Sequence, residues 1–326
     1  MLDGAELTLV NPWQRGFPLC RRPFGEIAAR ANLREAAVLE KFRDLQARGV
    51  IDRIGPVFRP NTVGASTLAA ISAPPERLQA AAAQVSAQPG VNHNYERGHL
   101  YNLWFVVTGS SETEVRQRID RIEYSTGLPV LPLPLLEEFH IDLGFDLDTH
   151  AAPRTGAKHA APPLSADERR LVACVSQGLP LVPEPYQAIA DSLNENPNLT
   201  PISEQRVIAL LERMLGDGRI RRIGAVIRHR RLGYVSNAMV VWDVPDAQAG
   251  ELGRRLASDA AVTLCYRRAR ALPDWRYNLY CMVHGRERER VLREVARASA
   301  AHGLDVFPRC VLFSTRCFSQ KAASYG

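Results

Sequence analysis

Two stretches of this chain are one sequence written twice. Gly16-Phe17-Pro18-Leu19, followed by Pro23-Phe24, returns as Gly178-Leu179-Pro180-Leu181, followed by Pro185-Tyr186. Arg53-Ile54-Gly55-Pro56-Val57 returns as Arg222-Ile223-Gly224-Ala225-Val226, and Tyr101-Asn102-Leu103-Trp104 returns as Tyr277-Asn278-Leu279-Tyr280. The order is kept while the spacing between partners widens along the chain, so one unit was duplicated and each copy then took small insertions. A repeat of roughly 160 residues is the size of a domain pair, well beyond the about 20 to 50 residues of a solenoid unit. The chain is therefore expected to be a covalent, pseudo-dimeric version of a dimer, with its two halves at liberty to divide the work.

At 326 residues and 46% hydrophobic content, the chain has ample material for ordinary cores. No apolar run approaches the about 18 residues needed to cross a bilayer. The start carries Asp3, Glu6, Asn11 and Pro12 where a secretory signal has an apolar core. A soluble, cytoplasmic protein with no membrane partner is expected. The six cysteines form no Cys-x-x-Cys pair and have no His at zinc-finger spacing, so they read as reduced, mostly buried thiols. Lys41, Lys158 and Lys321 are the lysines, and every other base behind the net charge of +6 is arginine. Arginine's planar fork grips carboxylate or phosphate in a bidentate way, which suits nucleic acid or a polycarboxylate small molecule. A GC-rich coding sequence enriches Arg and Ala as well, and competes with either reading.

Each copy divides again. Pro23 to Ala31 and Leu33 to Gly49 read as helices, the second with Val38, Phe42 and Leu45 on one stripe and a glycine stop. The β-like segments Val50–Ile54 and Ala225–His229 flank a glycine, and helix, turn, helix, wing describes a winged helix-turn-helix. Thr67–Ser72, Pro75–Gln88, Gly90–Arg97, Tyr101–Thr108, Glu112–Thr126 and Val130–Phe139 then follow the order βαββαβ, which is ferredoxin-like. The second copy matches, from Asn237 to Phe313. The expected class is α+β, with boundaries at 1–62 (winged helix-turn-helix), 63–147 (ferredoxin-like), 148–164 (linker), 165–233 (a degenerate winged helix-turn-helix) and 234–326 (ferredoxin-like). The linker is inferred from Pro153, Gly156, Pro162 and Pro163 among small and polar residues. The pairing of these two modules, used twice, resembles the Lrp/AsnC family of transcriptional regulators over the whole chain.

The helix that would enter a DNA groove argues against that activity. It carries Arg34, Glu35, Glu40, Lys41, Arg43 and Asp44 in the first copy, nearly charge-balanced, and its acidic residues would repel phosphate. In the second copy, Asn194 to Pro201 lengthens the turn before it. No functional DNA binding is expected.

Chemistry concentrates in Val91 to Trp104. Side chains alternate faces along a strand, so His93, Tyr95 and Arg97 share one face, and His99 continues it at the turn. The second copy keeps Tyr266 and Arg268 at the places of Tyr95 and Arg97, but Leu264 stands at the place of His93. Paired binding residues with histidines in one half suggest that one half performs chemistry while the other holds and shapes a large ligand. Leu103, Phe105 and Val107 read as ordinary sandwich core that also borders the site; Arg53 and Arg222 read as structural, with a substrate role as the alternative, and His284 as structural, with a place facing the second half's pocket as the alternative.

At these residues the chain resembles the siroheme decarboxylases, Lrp/AsnC-like proteins of the heme d1 and alternative heme pathways. The resemblance rests on His93-x-Tyr95-x-Arg97-x-His99-x-Tyr101-Asn102-x-Trp104 and on Glu137-Glu138-Phe139-His140-Ile141-Asp142-Leu143-Gly144-Phe145. It also rests on Cys265-Tyr266-Arg267-Arg268, Asp274-Trp275-Arg276-Tyr277-Asn278 and Met282-Val283-His284-Gly285. It covers both halves and implies a fusion of the two usual subunits. It further implies removal of two acetate carboxyl groups from siroheme, giving 12,18-didecarboxysiroheme and carbon dioxide, without an added organic cofactor and with no metal beyond the substrate's iron. The family's histidines map onto His93 and His99, and Leu264 departs from the histidine of the second-half motif.

The physics of that assignment follows from the residues. Arg97, Arg267, Arg268 and Arg270 are the expected carboxylate clamps, with Tyr101, Asn102, Trp104, Tyr266 and Tyr277 completing the binding set. One of His93 and His99 is expected to supply the proton, while the other binds the iron or orients the acetate, with Tyr95 hydrogen-bonding that acetate. The competing functions are an Lrp/AsnC-type regulator responsive to heme or a metabolite, and a tetrapyrrole carrier without turnover. Whether the fused chain associates further stays open.

Overall fold

In the computed structural model, residues 4–141 and 162–325 are described. The expected linker at 148–164 lies almost wholly outside them. The first copy runs α1 (Gly4–Val10), α2 (Pro23–Ala31), α3 (Glu35–Ala47), β1 (Ile51–Phe58), β2 (Ala65–Ile71), α4 (Pro75–Ala87), β3 (Val91–Arg97), β4 (Leu103–Gly109), α5 (Glu112–Thr126) and β5 (Val130–Ile141). The second runs α6 (Ala166–Val175), α7 (Pro185–Leu193), α8 (Glu204–Gly216), β6 (Ile220–Ile227), β7 (Ser236–Trp242), α9 (Asp246–Ala257), β8 (Val262–Arg268), β9 (Leu279–Gly285), α10 (Arg288–Ala301) and β10 (Arg309–Gln320). The chain divides into two compact units that each draw on both copies: the helix-turn-helix modules form one, the ferredoxin-like modules the other.

In the first unit, α2 and α7 both begin with a proline, whose fixed φ suits the first helical turn. Val38, Leu39, Phe42 and Leu45 form the buried stripe of α3. The long turn before α8 is closed by Asn194, which donates to Ile202 O (2.9 Å) and accepts from Ile202 N (2.8 Å). Each copy supplies one strand of the wing: β1 and β6 pair antiparallel about Gly55 and Gly224, which face each other. The repeated Gly-x-Pro-Leu segment is reciprocal too, since Phe17 N donates to Ile223 O (3.1 Å) and Leu179 N to Ile54 O (2.6 Å). A Cβ on Gly224 would lie 2.4 Å from Trp13 O, so only glycine admits the other copy's segment there. Arg222 is buried and donates to Gln14 O, and Arg53 pairs with Asp52 at 3.0 Å. Both repeated arginines are committed to packing this unit.

The second unit is a closed eight-stranded barrel, ordered β10-β3-β4-β2-β5-β8-β9-β7. Each copy contributes its four strands in ferredoxin-like order. The two fourth strands, β5 and β10, are long enough to serve both copies. Val130 to Pro134 of β5 pair with β2, and Leu135 to Ile141 with β8. Arg309 to Phe313 of β10 pair with β7, and Ser314 to Gln320 with β3. Closure leaves no unpaired edge and creates an interior. One face of the strands packs on the helices, as in the core of Trp242, Cys265, Cys281 and Val291. The other face fills the barrel with Leu68, Trp104, Leu133, Met239, Tyr266, Trp275, Tyr280, Met282 and Leu312, among others.

Candidate active site

The face of β3 that carries the His93, Tyr95 and Arg97 row is fixed by what holds the opposite one. Asn94 is fully buried and donates to Ala82 O (3.0 Å) and Ser86 Oγ (2.9 Å) of α4, so it points to the helices. His93, Tyr95 and Arg97 alternate with it and face the barrel interior. The His93 and Tyr95 rings stack at 6.2 Å, and the Arg97 guanidinium lies 5.9 Å from the Tyr95 centroid. The period-two expectation for these three holds.

From the second copy, Tyr266 and Arg268 reach the same interior. Arg268 sits 4.6 Å over the Tyr266 ring, and Tyr266 stacks on Tyr280 at 5.6 Å. Burial pushes the Tyr266 hydroxyl pKa up, and the charges of Arg268 and Arg97 oppose that rise, which brings both guanidiniums to one phenol. Burial also lowers the Arg268 pKa. The two arginines share a second task. Arg97 Nη1 donates to Leu312 O (2.8 Å), and Arg268 Nη1 donates to Leu133 O (2.7 Å). Each therefore staples its own copy's second strand to the other copy's fourth.

His99 sits in the β3–β4 turn. Its Nδ1 accepts the Tyr101 backbone N–H at 3.0 Å, which puts the proton of the neutral ring on Nε2. Burial lowers its pKa below the ordinary histidine value. Its ring meets Trp275 edge-on at 5.4 Å, and Trp275 also packs against Tyr101 (6.0 Å), Trp104 (5.0 Å) and Tyr277 (5.0 Å). The Trp275 indole N–H donates to Tyr280 Oη (2.6 Å), and the residue is 1% exposed. The Tyr101 pKa is raised by burial and by Asp274, and that of Tyr277 chiefly by burial. One buried tryptophan of the second copy thus holds the histidine turn of the first. Trp275 stood in the motif without a role; its importance depends on a contact that no spacing reveals.

Other expected binding residues are separated from this set. Arg267 lies on the opposite face of β8 and donates to Asp246 at 2.8 Å. Arg270 pairs with both Asp243 (3.0 Å) and Asp246 (2.7 Å). Both guanidiniums are thereby committed to acidic partners in their own copy. Asn102 spans Ala73, accepting from its N–H (2.9 Å) and donating to its C=O (2.8 Å). Asn278 does the same at Val244, so the repeated asparagine is a structural latch. Trp104 is 1% exposed, and its indole N–H donates to Tyr101 O. Leu103, Phe105 and Val107 alternate with Trp104 and Val106, and it is the latter two that belong to the interior cluster. His140, 6% exposed on the β5–β8 seam opposite Cys265, is a further histidine of the barrel. Among the described residues no three His, Cys, Asp or Glu side chains group as a metal site.

A duplicated helix-turn-helix and ferredoxin-like chain, whose ferredoxin-like modules close into one barrel with an imidazole, phenol and guanidinium row on the inner face, has the architecture of an Lrp/AsnC-type protein. Residues 63–140 and 231–319 match the AsnC-like ligand binding domain, and residues 6–51 and 168–221 match the siroheme decarboxylase NirDL-like HTH domain. The chain is 41% identical over 329 aligned positions to the siroheme decarboxylase NirDL subunit of Paracoccus denitrificans (strain Pd 1222), covering 99% of this chain and 98% of that one. Its fold superposes on the crystal structure of the siroheme decarboxylase NirDL with a TM-score of 0.69 at 28% identity, covering 98% of this chain and 94% of that one. A crystal structure of that protein in co-complex with an iron-uroporphyrin III analogue gives 0.67 at 28% identity, with 98% and 93% covered. The chain belongs to the siroheme decarboxylase family, with both halves of the enzyme in one polypeptide.

Proposed function

We propose that this chain is a carboxy-lyase that removes the carboxyl groups of two acetate side chains of siroheme, giving 12,18-didecarboxysiroheme and carbon dioxide. The observation that carries this reading is the convergence of His93, Tyr95 and Arg97 with Tyr266 and Arg268 inside one barrel. A tetrapyrrole rich in carboxylates calls for cations held in place, and arginines already fixed by backbone carbonyls lose little freedom on gripping it. The relative crystallised with an iron-uroporphyrin III analogue supports a ligand of this class.

In each decarboxylation the bond between the acetate methylene and its carboxyl carbon breaks. Carbon dioxide leaves, the electron pair delocalises into the macrocycle, and a proton delivered to the methylene completes a methyl group. The macrocycle is the electron sink, so no further cofactor is needed. Of the two histidines, His99 is suited to hold rather than to protonate. Its Nδ1 is occupied by an N–H donor and its pKa is lowered by burial, both of which keep the ring neutral. We assign it the hydrogen bond that orients the reacting acetate, and assign the proton to His93, with Tyr95 stacked beside His93 as a further hydrogen-bond donor to that acetate. Arg97 and Arg268 clamp the remaining carboxylates, against the aromatic wall of Trp104, Tyr266 and Trp275.

The helix-turn-helix unit is read as scaffold. The exposed face of α3 offers Glu40, Lys41, Arg43 and Asp44, and Arg43 Nη2 is spent on Leu181 O at 2.6 Å. A cytoplasmic site of action fits a heme-pathway enzyme, and no helix of the described residues is long and apolar enough to cross a membrane. Anaerobic incubation with siroheme followed by mass spectrometry tests the activity: loss of two carbon dioxide equivalents supports it, and an unchanged substrate mass marks a carrier. Sequence-selective retardation of genomic fragments in a gel-shift experiment at moderate salt would instead mark a regulator.

A further inference from the structure

The two copies differ at a second place, away from the histidine row. In the first copy, the space between the start of β3, the end of β4 and the first turns of α5 is filled by Arg118. This residue is 7% exposed, donates to Thr108 O at 2.5 Å and pairs with Glu114. It fits because position 90 is glycine: a Cβ there would lie 1.8 Å from Arg118 Nη1.

Aligning Val91 with Val262, Gly109 with Gly285, and Val115 with Val291 places Ala261 at the position of Gly90 and Glu294 at that of Arg118. Thr108 becomes His284, and Glu114 becomes Arg290. The filling side chain is gone, and in its place is a cavity of about 540 Å³ between β8, β9 and α10. This lies within the roughly 300 to 1,000 Å³ of small-molecule sites. Val283 and Val291, Ala260 and Ala261 give it an apolar lining. Its polar side holds Thr263, whose hydroxyl donates to Met282 O (3.1 Å) and lies 2.7 Å from His284 Nδ1.

The charges around it are unequal in their commitments. Arg297 is shared by Asp259 (2.7 Å) and Glu294 (2.8 Å), which commits these three side chains to one another within the wall. Among the described residues no carboxylate pairs with Arg286 or Arg290, and Arg286 is stacked over Tyr234 at 5.4 Å. Two arginines face one remaining acid, Glu287, at the rim of a partly apolar cavity.

We propose that this cavity is a binding site, present in the second copy alone, for a small organic anion. Its carboxylate or phosphate lies between Arg286 and Arg290, and its apolar body rests on Tyr234, Ala260 and Ala261. The site stands independently of the siroheme reading.

Calorimetric titration of the full chain at low salt with benzoate and with phenyl phosphate tests it, with benzyl alcohol and inorganic phosphate as controls. Saturable binding of one of the organic anions, one per chain, and none of benzyl alcohol is expected. Arg290→Ala should weaken it about tenfold, as for loss of a charged hydrogen bond. The double change Ala261→Gly with Glu294→Arg, which restores the first copy's filling, should abolish it. Melting temperature and siroheme turnover should be unchanged in both variants. Absence of saturable binding by either organic anion, binding that survives both variants, or equal affinity for inorganic phosphate would overturn the proposal.

Discussion

Strands β3 and β8 occupy equivalent places in one barrel, and the difference between them separates frame from chemistry. Both carry a tyrosine and then an arginine on the interior face, and both arginines donate to a leucine carbonyl of the other copy. The register against the crossing strand is conserved as well: Ser314, Cys317 and Gln320 stand opposite Arg97, Tyr95 and His93, as Leu135, Glu138 and Ile141 stand opposite Arg268, Tyr266 and Leu264. What changes is the third residue of the row, histidine in one copy and leucine in the other. A closed barrel needs both staples, whereas in the proposed reaction one proton donor suffices for one reacting acetate at a time. Duplication therefore left the stapling residues in both copies and the row's imidazole in one.

The sharpest way to break this comparison is to remove its asymmetric members. His93→Ala and His99→Ala should each lower siroheme turnover by about 10²-fold or more, while the absorbance change on siroheme binding persists. Leu264→Ala should stay within a few-fold of the parent. Full turnover in both histidine variants, or an equal loss in Leu264→Ala, would remove the division of labour.

A second contrast lies in the helix-turn-helix unit, where Glu6 and Glu168 are equivalent. Glu168 is 2% exposed and bonds Arg219, itself 1% exposed, as well as Arg213, while Glu6 pairs with the partly exposed Arg48. Burial alone would raise the Glu168 pKa, but its hydrogen bonds to Arg219, Ser165 and Arg213 win and hold it at about 2. Because the folded value lies below the unfolded one, the stabilisation is full above about pH 4.5 and is lost as pH falls towards 2. Glu168→Gln should cost about 3 kcal/mol in denaturant melts at neutral pH. Glu6→Gln should cost less.

The staples should behave alike. Arg97→Ala and Arg268→Ala are each expected to cost about 1.5 to 3 kcal/mol of stability, the range for a hydrogen bond from a charged group. A large inequality between them would show that the pseudo-symmetry of the barrel is only topological.

The smallest effect concerns His99. With its pKa below the unfolded value near 6.5, it stabilises the fold fully above that pH, and the contribution fades as pH falls. An imidazole NMR titration with a midpoint at or above 6.5 would contradict the neutral, acetate-orienting role.

The order of elements was legible because each has its own period: α5 runs from Glu112 to Thr126 as expected, and the histidine row follows from alternation alone. Alternation also separates Arg267 from Arg268, adjacent in sequence and on opposite faces of β8. The repetition of asparagine as Asn102 and Asn278 was itself a sign of a shared structural task, since binding chemistry had diverged elsewhere between the copies. The double pairing of β5 and β10 was not legible: the sequence reading ended the last strand of each copy at Phe139 and at Phe313, whereas the strands run on to Ile141 and Gln320 because the other copy's β8 and β3 supply hydrogen-bonding partners there. The role of Trp275 left no trace either.

The amino-acid sequence alone determined the duplication, the α+β order and the single-copy histidine, because these rest on identity and local periodicity. The tertiary structure decided which copy each strand edge joins, which arginines face the barrel interior, and that a cavity opens where Arg118 has no counterpart. Backbone edges carry the same donors and acceptors in every strand, so pairing across copies is selected by the packing of whole sheets. The space left by one missing side chain exists only once its neighbours are in place.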